Sequence, residues 1–196
     1  MCRVSPNLVV MPASPAMVAE LAPRDVVGAR TVSRLRSLID ASAAPIHLVS
    51  SRDPRWETGV EGSFRAWGAP DVTVGEGRFL PELVQRYVLG ESAARVTEVR
   101  TQLGDINPEA LTLVAVDGSA GLTERAPLAL LPQAADADAW CRAVLAGEQA
   151  GELPADGGIL EPGLWLELAA RQPRRAELLL ADTTHGVGRY VAAWQI

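Results

Sequence analysis

The residues of this sequence best suited to chemistry are gathered in one loop. Asp117, Ser119, Thr123 and Glu124 lie within LTLVAVDGSAGLTERAP, Leu111 to Pro127, just beyond an apolar run. LTLVAV is short and rich in β-branched residues, which predicts a buried strand. In open α/β sheets, ligands sit beyond the carboxyl ends of the strands, where this loop would lie. His185 likewise follows a predicted strand. If Asp117, Glu124 and His185 converge, two carboxylates and an imidazole can hold one divalent cation, such as Fe2+ or Zn2+, with positions left open for a substrate. The plainer alternative has Asp117 capping a turn, Glu124 paired with an arginine and His185 in solvent. Arginine is the expected partner of Glu124, because it binds carboxylate through two hydrogen bonds. Arg52, Arg55 and Arg189 are at least as apt as Arg125, since sequence neighbours often point apart.

Other candidates carry weaker signals. Asp53, flanked by Arg52 and Arg55, reads either as an anion-binding loop or as a solvated charged one. Gly186-Val187-Gly188 precedes a strand rather than a helix, so it marks a turn and not a dinucleotide fingerprint. Trp56 and Trp67 lie in a long loop and are the tryptophans best placed to touch a partner. Asp136 and Asp138 suit the start of a helix, where the dipole favours negative charge.

Several chemistries are excluded outright. All 18 basic residues are arginine, so there is no P-loop lysine, Schiff base or lysine general base. With only His47 and His185, a three-histidine metal centre cannot be built within one chain. Cys2 and Cys141 are far apart and form no CxxC pair, which argues against a disulfide framework or a zinc–cysteine site. A net charge of -6 argues against nucleic-acid binding.

The elements that must position these residues follow from periodicity. Asn7 to Met11, Ile46 to Ser50, Val72 to Val74, Leu111 to Val116, Glu177 to Ala181 and the RYVAAW run predict strands. Helices are expected over Arg30 to Ser42, Leu80 to Leu89, Ser92 to Leu103, Asp136 to Gly147 and Ile159 to Arg171. The segment Ser51 to Gly77, rich in Gly, Pro, Arg and Asp, reads as a long loop of the kind that often serves function. The 196 residues suit one domain with a substantial core. The N-terminal run after Arg3 has no convincing cleavage site, and no apolar run approaches the roughly 18 residues of a membrane span. A cytoplasmic protein is therefore expected.

Three segments, taken in order, resemble the class III extradiol ring-cleavage dioxygenase superfamily, whose LigB-like α/β fold also includes the Memo-type proteins. VVMPASPAMVAELAP is similar to its first strand and loop, VAVDGSAGLTERAP to its Gly-Asp-x-Ser-His segment, and AELLLADTTHGVGRYVAAW to its closing hairpin. The resemblance implies a site that, in active members, holds ferrous iron on two histidines and a glutamate, with a further histidine as acid/base. This sequence departs there. Ala13, beside Ser14, stands where the first-loop histidine would be, Arg52 and Asp53 fall in the region of the next, and Thr123-Glu124 stands where Ser-His would be.

The expectation is one LigB-like domain over 1–196, a three-layer α/β sandwich whose mixed, mainly parallel central sheet is flanked by helices. Its candidate cleft comprises Ala13, Ser14, Arg52, Asp53, Asp117, Ser119, Thr123, Glu124 and His185. The expected function is binding of a small molecule or a protein, with no cofactor and no ring cleavage, and a homo-oligomer is left open. The rival is a metal-dependent oxidoreductase or hydrolase built on Asp117, Glu124 and His185.

Overall fold

The computed structural model describes residues 6–196; Cys2 and Arg3 lie outside them. Among the described residues, eight strands and four helices follow one another: β1 (Leu8–Met11), α1 (Val26–Asp40), β2 (Ile46–Val49), β3 (Ser63–Phe64), β4 (Ala69–Thr73), α2 (Leu80–Leu89), β5 (Val96–Arg100), β6 (Leu111–Ala115), α3 (Ala134–Leu145), α4 (Pro162–Ala169), β7 (Arg175–Asp182) and β8 (Arg189–Gln195). Six strands form one sheet in the order β5-β2-β6-β1-β8-β7, while β3 and β4 make a separate two-stranded ribbon. β1, β2, β5 and β6 pair in parallel, and β8 runs antiparallel to both β1 and β7. The sheet is mixed and mostly parallel, as the strand–helix alternation predicts.

The alternation of side chains along the strands builds two cores. In β1, Val9 and Met11 face one side, packing with Leu48 and Leu113 against Val32, Leu35 and Ile39 of α1 and Leu83, Val84 and Val88 of α2. Leu8 and Val10 face the other, packing with Val114 and Ala192 against Trp140, Val144 and Leu145 of α3 and Leu164, Trp165 and Leu168 of α4. The sheet is thus covered on both faces, giving the expected three layers. No helix among the described residues is long and apolar enough to cross a membrane.

One predicted helix is replaced. Over Ser92 to Leu103, a 3-10 turn at Gly90–Arg95 leads instead into β5. Val96, Thr97 and Val99 are β-branched, and pairing with β2 outweighs the helical leaning of the preceding alanines. As an edge strand, β5 is exposed at Thr97 and Glu98, so it lacks the apolar run that marks the inner strands. Boundaries also move. α1 starts at Val26, before the predicted Arg30, because the Asp25 side chain accepts the Gly28 N–H at 2.8 Å and caps the helix. α4 starts only at Pro162, a residue suited to the first helical turn.

Candidate functional site

The parallel strands deliver their carboxyl-end loops to one edge of the sheet, and a cavity of about 630 Å3 opens there. Ala13 and Ser14 reach it from the loop after β1, Arg52 and Trp56 from that after β2, Thr101 and Gln102 from that after β5, and Asp117 from the end of β6. Helix α4 and the residue before it close another side with Glu161, Leu164 and Glu167. Leu80, Pro81, Pro127, Leu160 and Val187 add apolar wall. This volume lies within the range of about 300–1,000 Å3 usual for small-molecule sites, which combine apolar walls with a few polar groups.

Asp117 is fixed from three directions. Its Oδ1 accepts the Ala13 N–H at 3.0 Å, its backbone carbonyl accepts the Trp165 indole N–H at 2.8 Å, and the next N–H, of Gly118, donates to the Gly188 carbonyl at 2.8 Å. Position 118 requires glycine because a Cβ there would stand 2.6 Å from the Tyr190 ring. Trp165 packs edge-on against Tyr190 with ring centroids 5.7 Å apart, so the floor beneath Asp117 is aromatic and closely packed. Burial pushes the Asp117 carboxyl up to about 7, even though the Ala13 and Ser14 N–H groups and the Arg189 charge favour its ionised form. A carboxyl poised there can accept or release a proton at neutral pH.

Two further carboxylates line the cavity. Glu161 accepts a hydrogen bond from the Trp56 indole N–H, joining the loop after β2 to the start of α4. Glu167 Oε2 accepts the Leu103 N–H at 2.6 Å. Arg52 is the single basic residue of the lining, and its guanidinium lies 3.9 Å from Glu82 Oε2.

Only Ala13, Ser14, Arg52 and Asp117 of the expected cleft residues line this cavity. Asp53 turns away. It caps the 3-10 turn at Pro54–Trp56 and pairs with the Arg55 Nε at 3.0 Å. Ser119 is buried and accepts the Gly121 N–H at 3.1 Å, a structural role within its turn. Thr123 and Glu124 are exposed, and Glu124 forms no ion pair among the described residues. The expected arginine partner is therefore corrected: water solvates a carboxylate at the loop's outer surface, so it needs none. His185 borders a separate pocket with Ala16, Pro23 and Arg24, its Nε2 3.5 Å from Asp25 Oδ1. Asp117, Glu124 and His185 do not converge, and among the described residues no group of three His, Cys, Asp or Glu side chains could hold a metal ion.

The loop holding His185 is organised by a cation that sequence reading assigned elsewhere. Arg189 is buried between Asp25 and Asp182, donating to Asp182 Oδ2 from Nε at 3.0 Å and from Nη2 at 2.6 Å, and from Nη1 to Asp25 Oδ2. Burial alone would raise both carboxyls, but the Arg189 hydrogen bonds, together with those from Gly28 to Asp25 and Thr184 to Asp182, hold them below the usual range. This triad anchors the start of α1 to the β7–β8 turn, whose Gly186 and Gly188 are hydrogen-bonded to Leu122 and Ser119 of the loop after β6.

Glu161 and Glu167 escaped sequence reading. The predicted helix Ile159 to Arg171 absorbed both, although Glu161-Pro162 is a signal for a helix start. Trp56, by contrast, stood out as a loop aromatic and does line the cavity. No protein-family model matches the chain, and no curated protein matches it significantly.

Proposed function

We propose that the protein is a LigB-like α/β domain that binds a small molecule in the cavity beside Asp117 and does not cleave aromatic rings. The observation that carries this reading is the cavity itself, about 630 Å3 of largely apolar wall built around a carboxyl that titrates near neutrality. A concave, half-open volume of this kind favours a small ligand over a protein partner, which would need an extended flat surface.

The iron of the ring-cleaving enzymes does not fit the residues present. Neither of the chain's two histidines lines the cavity. His47 sits on β2 with its Nδ1 3.2 Å from Glu98 Oε2 of β5, and His185 borders the second pocket. No step of a metal-assisted reaction is therefore derived. What Asp117 supplies is a proton donor and acceptor held rigidly against whatever occupies the cavity.

Ligand-observed NMR with a set of neutral aromatic and alicyclic fragments tests the reading. Fragments should bind to the wild type and lose binding to Ala13→Leu, which adds methyl groups to the cavity wall. Fragment binding unaffected by Ala13→Leu would put the ligand site elsewhere.

A further inference from the structure

Two sets of acids, those of the buried core and those lining the cavity, differ in their partners. Asp25, Glu82 and Asp182 are buried, and each has an arginine at ion-pair distance: Arg189 for both aspartates, and Arg86, 3.0 Å away, for Glu82. The three acids lining the cavity, Asp117, Glu161 and Glu167, have no ion-pair partner among the described residues. Their hydrogen-bond donors are neutral, namely the Ala13 N–H, the Trp56 indole and the Leu103 N–H. These donors satisfy single oxygens but bring no positive charge. Arg52, the one cation of the lining, is directed at Glu82 and is nearly half exposed. The fully buried acids are thus each paired with an arginine, whereas the half-buried acids of the cavity wall have none at ion-pair distance: Asp117 feels Arg189, and Glu161 feels Arg55, only from farther away.

Resting on the reading of this cavity as the ligand site, we infer that its occupant is an organic ammonium ion with an apolar body. The ammonium would bring a positive charge into direct contact with the Asp117 carboxylate, which Arg189 reaches only from farther away, and its remaining N–H donors would go to water or backbone acceptors. The apolar body would lie on Leu80, Pro81, Leu160 and Leu164, and the Trp56 ring offers a face that attracts cations. A carboxylate ligand would meet like charge beside a largely apolar wall, which is unfavourable. A divalent metal ion demands several oxygen ligands converging within about 2–2.6 Å, and the three carboxylates are not grouped to provide them. Binding also moves a proton: the ammonium keeps its own, the Asp117 carboxyl gives its proton to the buffer, and the complex holds ammonium against carboxylate. Affinity for an amine should therefore rise as pH increases through about 7, where Asp117 ionises.

Calorimetry with three probes alike except for the head group tests the inference: 4-phenylbutylamine, 4-phenylbutanol and 4-phenylbutyrate. At pH 7.5 the amine should bind about tenfold more tightly than the alcohol, and the acid more weakly than either. Asp117→Asn, which keeps an acceptor for the Ala13 N–H, should bring the amine down to the affinity of the alcohol. Glu161→Gln, which keeps an acceptor for Trp56, should lower amine affinity while preserving the fold. The inference is overturned if the alcohol or acid binds as tightly as the amine, or if Asp117→Asn leaves amine affinity unchanged. Saturable binding of zinc chloride that Asp117→Asn abolishes, without amine binding, would overturn it in favour of a metal site. If none of the three organic probes binds, the cavity reading fails with it; if only the amine fails, the cavity reading stands and the ligand class is wrong.

Discussion

The Asp117 carboxylate accepts the backbone N–H of Ala13 at 3.0 Å, joining two loops that are 104 residues apart in the chain. The bond ties the end of β6 to the end of its parallel neighbour β1, so the cavity's acidic group is set by the sheet rather than by a flexible loop. A group positioned this way keeps its place whether or not a ligand is present, which favours binding without reorganisation.

Stability should carry the signature of this buried acid. In the folded protein Asp117 titrates at about 7 against an ordinary 3.8. Between those values the folded state retains a proton that the unfolded state has released, so this residue weakens the fold as pH rises through that window. Asp117→Asn removes the effect. Urea unfolding should show the variant gaining on the wild type by on the order of a few kcal/mol from pH 4 to pH 8. A difference that does not change with pH would mean the carboxyl is solvated.

Arg189 has the opposite sign. It holds Asp25 and Asp182 below their usual range, so their contribution is present above the unfolded carboxylate pKa and is lost as pH falls through the lowered folded values. Arg189→Met strands two buried carboxylates and should destabilise the fold by about 3–5 kcal/mol near neutrality. The loss should shrink as acid protonates both aspartates. Denaturant unfolding of wild type and variant at pH 7 and pH 4 measures it, and an equal loss at both values would contradict the ion-triad account.

Glu124 should be dispensable. It is exposed and without an ion pair among the described residues, so Glu124→Ala should shift unfolding free energy by less than about 0.5 kcal/mol. A large loss in thermal unfolding would restore the arginine partner expected from sequence.

Ring cleavage should be absent. With catechol or protocatechuate and added ferrous iron, oxygen uptake should stay at background, because no histidine lines the cavity. Turnover that chelation abolishes would show that the ligands lie elsewhere.

The inner strands were legible because β1 and β6 are buried on both faces, and β2 at every residue but His47, so they read as largely apolar runs. β5 was not, since an edge strand buries too little to impose a pattern. The loop after β6 stands out by its polar residues, yet sequence does not say which of them turn toward the cavity; Asp117 does, while Thr123 and Glu124 face solvent. Glu161 precedes and Glu167 belongs to a helix more than 40 residues after Asp117, and only tertiary packing brings them to the cavity. The Asp25–Arg189 pair spans 164 residues and leaves no local trace.

The most direct test of the account follows the side-chain carboxyl carbon of Asp117 by 13C NMR while 4-phenylbutanol is added. A neutral apolar probe asks only whether the cavity is a ligand site, whatever charge the true ligand carries. The account predicts a saturable shift of that resonance, from a free protein whose Asp117 titrates near 7, and no shift in Ala13→Leu. An Asp117 resonance that stays fixed throughout the titration, or that titrates near 4 in the free protein, would contradict it.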